Sequence, residues 1–84
     1  MAELHIDVNG SRTVLHQRDD QALETLVKNV YEQFARDGGA WCAVTISGRR
    51  TLMWVPRIAV LVAHFDGDDL TYPLKKLAVN IESS

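Results

Sequence analysis

Between Arg18 and Gly39 the chain reads RDDQALETLVKNVYEQFARDGG, and the fold follows from this stretch. Leu23, Leu26, Val27, Val30, Tyr31 and Phe34 recur at intervals of a turn, with Glu24, Lys28, Glu32 and Arg36 between them. That spacing lays one apolar stripe along a helix of about 3.6 residues per turn. Arg18-Asp19-Asp20 supplies an aspartate able to accept the orphan N–H groups of a first turn, and Gly38-Gly39 supplies a residue that tolerates a left-handed stop. Glu24–Lys28 and Glu32–Arg36 are acid-before-base pairs one turn apart, the supportive order. The stretch predicts a helix over residues 20–37 that buries Leu23, Val27, Val30 and Phe34. A single apolar stripe needs an apolar sheet face to lie on, and both flanks of the helix read as strands.

Upstream, Leu4, Ile6 and Val8 alternate with Glu3, His5 and Asp7, the period of a half-buried strand. Asn9-Gly10 follows, a strong hairpin signal because a type I′ turn needs positive φ at both central positions. In that register Val8 faces Ser11, Asp7 faces Arg12, Ile6 faces Thr13 and Leu4 faces Leu15. Val14 then points outward, which leaves a bulge or a three-residue loop open. Downstream, residues 41–46 and 51–55 are β-rich runs around Ser47-Gly48-Arg49-Arg50, a second hairpin. With Gly48-Arg49 as its turn, Ile46 faces Thr51, Val44 faces Met53 and Cys42 faces Val55.

Residues 58–65 read as a third strand, apolar on both faces, and Asp66-Gly67-Asp68-Asp69 is turn chemistry. Residues 70–72 read as a short extended piece before Pro73. Leu77, Val79 and Ile81 alternate like a last strand, while residues 74–79 could equally form a short helix opened by Pro73. The expected fold is one α+β domain over residues 1–84: an N-terminal β-hairpin, one long amphipathic α-helix, then an antiparallel β-meander. The helix lies on one face of a mostly antiparallel sheet of four to six strands.

Composition narrows the class. The 84 residues are 46% hydrophobic and 24% charged, the balance of a small globular domain with a thin core. A formal charge of −2 argues against a general polyanion binder, which would be basic. Cys42 is the single cysteine, so no disulfide within the chain can reinforce that core. No basic segment followed by an apolar one opens the sequence, and the longest apolar run, residues 58–63, is too short to cross a bilayer. The expectation is a cytoplasmic protein without membrane contact.

Candidates for chemistry are few. In the Asn9-Gly10 register Glu3, His5 and His16 share the outer face of the first hairpin, a ligand set that could suit zinc. Solvated polar side chains near a chain end account for them better. Cys42 shares the helix-facing side with Val44 and Ile46, where a thiol behaves as a small hydrophobe rather than a nucleophile. His64 ends an apolar strand, and the carboxylates of Asp66, Asp68 and Asp69 lack the alternate spacing of a calcium loop. The reading expects no catalytic residue, no metal and no cofactor.

The informative feature is the other face of the second hairpin, which carries Trp41, Ala43, Leu52 and Trp54, extended by alternate residues of the third strand. One helix covers only one face of a sheet, so this face must be covered by residues 73–81 or by another chain. Arg49, Arg50 and Arg57 are the only formal charges between Gly38 and Phe65. The expected function is therefore a small non-enzymatic binding or regulatory protein. Its interaction face is Trp41, Leu52 and Trp54 with Arg49, Arg50 and Arg57, and it pairs as a homodimer or with a protein partner. The alternative is a nucleic-acid-associated protein that combines those arginines with the two indoles, as single-strand binders do.

Overall fold

A computed structural model describes residues 2–67 and 70–77. Strands β1 (Glu3–Val8) and β2 (Ser11–His16) form the first hairpin, followed by helix α1 (Asp20–Asp37). Strands β3 (Gly39–Ile46) and β4 (Arg49–Pro56) form the second hairpin, and strand β5 (Val60–His64) and a short helix α2 (Tyr72–Leu77) complete the order. The α+β architecture of hairpin, long helix and antiparallel strands is present, with α1 packed on the sheet. The strands divide into a three-stranded sheet ordered β2-β1-β5 and a two-stranded sheet of β3 and β4, rather than one sheet of four to six.

The local chemistry of each element explains its bounds. Asn9 at φ 51° and Gly10 at φ 87° make the tight turn, and the β1–β2 register runs from Val8↔Ser11 to Glu3↔His16 without a bulge, leaving Val14 exposed. Arg12 holds both carboxylate oxygens of Asp7 on the outer face, at 3.1 and 3.2 Å. The Asp19 side chain caps α1 by accepting from the Ala22 N–H at 2.9 Å, and left-handed Gly38 at φ 77° stops it by donating to the Phe34 carbonyl. Leu23 and Val30 are fully buried along the apolar stripe, with Val27 and Phe34 half-buried beside them.

The second hairpin turns one position earlier than expected. Ser47 at φ 51° and Gly48 at φ 78° are the two turn residues, so Ile46 faces Arg49, Val44 faces Thr51, Cys42 faces Met53 and Trp41 faces Trp54. This register differs by two residues from the one with Gly48-Arg49 in the turn. A shift of two preserves which face each side chain occupies. Ala40, Cys42, Val44 and Val55 thus still point into the core.

The third strand is shorter than residues 58–65 and takes a different neighbour. A turn in which the Ala59 N–H donates to the Pro56 carbonyl carries the chain away from β4, and β5 pairs antiparallel with β1 from Asp7↔Val60 to Glu3↔His64. Leu61 and Ala63 face inward; Val60, Val62 and His64 face out. Of the expected extended piece at residues 70–72, Leu70 and Thr71 precede α2 and only Tyr72 joins it. Pro73 sits in the first turn, where the missing N–H costs nothing, and residues 74–77 take the helical alternative rather than the strand. Asp68, Asp69, Val79 and Ile81 lie outside the described residues.

The core gathers Ala2, Leu4, Ile6 and Leu15 of the first sheet, Leu23 and Val30 of α1, and Ala40, Cys42, Val44 and Val55 of the second. The far end of the second hairpin lies beyond this core, since Ile46 sits on the inward side of β3 and is still half-exposed. The Cα radius of gyration is 12.9 Å, against roughly 12 Å for a fully compact chain of this length. Among the described residues no helix is long and apolar enough to cross a membrane.

Candidate functional site

The side of the second hairpin turned away from the core carries Trp41, Ala43, Leu52, Trp54 and Arg50. Trp41 and Trp54 are directly opposed across the ladder, and their rings meet edge-on with centroids 5.2 Å apart and planes at 61°. This geometry favours the positive edge of one ring against the negative face of the other. The Trp41 backbone N–H donates to the side-chain oxygen of Gln33 on α1 at 3.1 Å, so it points away from β4. Trp41↔Trp54 is therefore a pair without ladder hydrogen bonds, the kind whose side chains approach closest. Gly39 completes the seat: a Cβ there would overlap the Trp54 indole. The absence of a side chain at Gly39 lets the Trp54 ring lie down on the strand.

No element among the described residues covers this face. Trp41 is 55% exposed, Trp54 42% and Leu52 65%, values for side chains that lie on a surface rather than under one. The described part of the C-terminal segment goes elsewhere: Leu74 and Leu77 of α2 line a hollow with Val27 and Tyr31 of α1 and with Ala63 and Phe65. The sequence admitted cover for the Trp face by residues 73–81. Residues 73–77 do not provide it, and the remainder lies outside the described residues.

The arginines do not gather into one patch. Arg50 alternates onto the Trp side and Arg49 onto the other, while Arg57 lies beyond the opposite end of β4. A strand of 8 residues puts Arg49 and Arg57 roughly 25 Å apart. Arg57 lines a separate hollow with Tyr31, Phe34 and Leu61.

The outer face of the first sheet assembles what the sequence only partly joined. Glu3 sits between His16 and His64 in the strand register. Its carboxylate meets His5 Nε2 at 2.9 Å and His16 Nδ1 at 3.3 Å, and the His5 and His64 rings lie 4.6 Å apart. The chain's three histidines thus share one face. Two of them occupy opposite oxygens of one carboxylate, and among the described residues no three His, Cys, Asp or Glu side chains are placed to hold a metal ion. The His5 hydrogen bond is the main reason the Glu3 carboxyl lies below the ordinary carboxylate range, with the nearby His16 and His5 charges adding to it against a desolvation cost. Cys42 is buried at 1% exposure, and desolvation pushes its thiol up, away from the thiolate a nucleophile needs.

His64 is the residue that spacing could not bring to this cluster, because its arrival depends on β5 pairing with β1. No known protein family, curated protein or solved structure matches this chain. The functional reading rests on the surface the chain itself presents.

Proposed function

We propose that this is a small non-enzymatic binding protein that pairs with a second copy of itself through the Trp41/Leu52/Trp54 face. One observation carries the proposal: two indoles seated edge-on beside Leu52, all three substantially exposed, on the side of the hairpin that α1 leaves open. Soluble monomers seldom expose an apolar patch beyond a few hundred Å², and indoles are enriched among the residues that dominate interfaces. A self-complementary patch closes most simply by two-fold symmetry. The dispersal of Arg49, Arg50 and Arg57 supports the protein partner over nucleic acid, because a strand of phosphates needs a continuous basic track.

Sedimentation at low micromolar concentration tests this. The expected result is a dimer that persists from low to high salt and that Trp54→Glu converts to a folded monomer. A monomer in the wild type would overturn the proposal. Association only with an added oligonucleotide, weakening steeply with salt, would transfer the face to nucleic acid.

A further inference from the structure

Strand β5 is an edge strand, hydrogen-bonded to β1 on one side with no described strand on the other. In the first hairpin the residues flanking a two-residue turn exchange both hydrogen bonds, so Val8, Ile6 and Leu4 bond to β2. Asp7, His5 and Glu3 must then bond to Val60, Val62 and His64. The backbone N–H and C=O groups of Leu61 and Ala63 are left pointing out of the sheet, and none of the turn, loop or side-chain hydrogen bonds among the described residues uses them.

The surface beside that edge is a groove against α1. One hollow of about 340 Å³ lies between Val27 and Tyr31 and the Ala63–Phe65 end of β5, closed by Leu70, Leu74 and Leu77. A second of about 430 Å³ lies between Tyr31, Phe34 and Ala35 and the Ala59–Leu61 end. The two meet at Tyr31 and together follow β5. Ala59, Leu61, Ala63, Phe65, Val27 and Phe34 all pack on the core yet stay only partly buried, so among the described residues the core is incompletely covered along this edge. Among the described residues Arg57 is the one charged side chain lining either hollow; it is exposed, and no described acid lines the hollow with it.

Unpaired donors and acceptors at strand spacing recognise another extended backbone, and a half-covered apolar floor recognises alternate side chains. A guanidinium at one end recognises an acid. We propose that β5 and this groove take an extended peptide of a partner protein by antiparallel strand addition, apolar at alternate residues and acidic at the C-terminal end that meets Arg57. This surface is separate from the Trp face and independent of self-association through it.

The probe is the blocked peptide Val-Thr-Val-Thr-Ile-Glu, titrated into the full chain with amide exchange read residue by residue. Binding should slow exchange at Leu61 and Ala63 and leave Val60 and Val62 unchanged, because those amides are already bonded to β1. Methylating the backbone nitrogen of the central Val, which faces β5, should weaken binding about tenfold, the equivalent of one lost hydrogen bond. Methylating the neighbouring Thr nitrogen, which faces solvent, should have little effect. Arg57→Gln should weaken this peptide a few-fold and leave a Gln-ended version unchanged. Absence of binding at millimolar peptide would overturn the proposal. Equal loss from both methylations would also overturn it, since the groove would then be taking an amphipathic anion through side chains alone.

Discussion

Asp20 occupies the first position of α1, and its carboxylate does more than favour the helix dipole. Its two oxygens accept the N–H groups of Asp66 and Gly67 at 2.8 Å each, binding the chain after β5 to the start of the helix. Asp19 next to it caps the helix itself. Asp19→Ala should cost about 1 kcal/mol, the usual loss of a cap. Asp20→Ala should cost roughly 1–2 kcal/mol and should loosen Asp66 and Gly67, seen as faster amide exchange there. Equal exchange in wild type and variant would show that the loop holds without Asp20. Glu3 makes a second residue-level case. Its folded carboxyl is depressed, so its contribution to stability is present above the ordinary carboxylate range and disappears as pH falls through the lowered folded value. Removing the main cause with His5→Ala should raise the Glu3 carboxyl toward its ordinary range in an NMR titration. An unchanged titration would assign the shift to His16 instead.

At the scale of elements, face membership was legible and neighbour choice was not. Alternation identified the inward side of every strand in the two hairpins because a side chain's face depends only on parity, and parity survived the two-residue error in the second register. The same insensitivity made the register itself unreadable: Ser47-Gly48 and Gly48-Arg49 bury the same residues. The deciding factor is local, with Gly48 as the second turn residue and Ser47 accepting a left-handed φ of 51° that favours asparagine over serine. Ser47→Asn should therefore raise stability by up to about 1 kcal/mol in a denaturant titration without moving the Trp41↔Trp54 pairing. A destabilised variant would show that Ser47 makes a contribution beyond the turn. Strand β5 illustrates the other limit. Its run is apolar on both faces, so pattern could not distinguish a place beside β4 from one beside β1, and the tight turn between Pro56 and Ala59 decides it. With that choice come the meeting of His64 with His5 and the open groove beside α1, neither of which any local motif encodes.

For the whole molecule, the same helix that builds the core does not cover the far side of the second hairpin. Apolar area removed from water is worth about 25 cal/mol per Å², so burying a patch of roughly 400 Å² would provide on the order of 10 kcal/mol of gross driving force. Lost translational and rotational freedom and imperfect desolvation would consume much of that, so the proposed self-association should have micromolar affinity or tighter. Self-association of this kind would bind folded chains and not unfolded ones, so the proposal predicts a stability that depends on concentration. The melting temperature should climb as protein is raised from the micromolar to the hundred-micromolar range, and Trp54→Glu should flatten that climb. Gly39→Ala separates geometry from hydrophobicity: it keeps both indoles but forces Trp54 off its seat. It should weaken the concentration dependence and change the indole fluorescence while the helical circular dichroism of α1 stays intact. A wild-type melting temperature that is flat across that range would mean the exposed indoles do not hold two copies together.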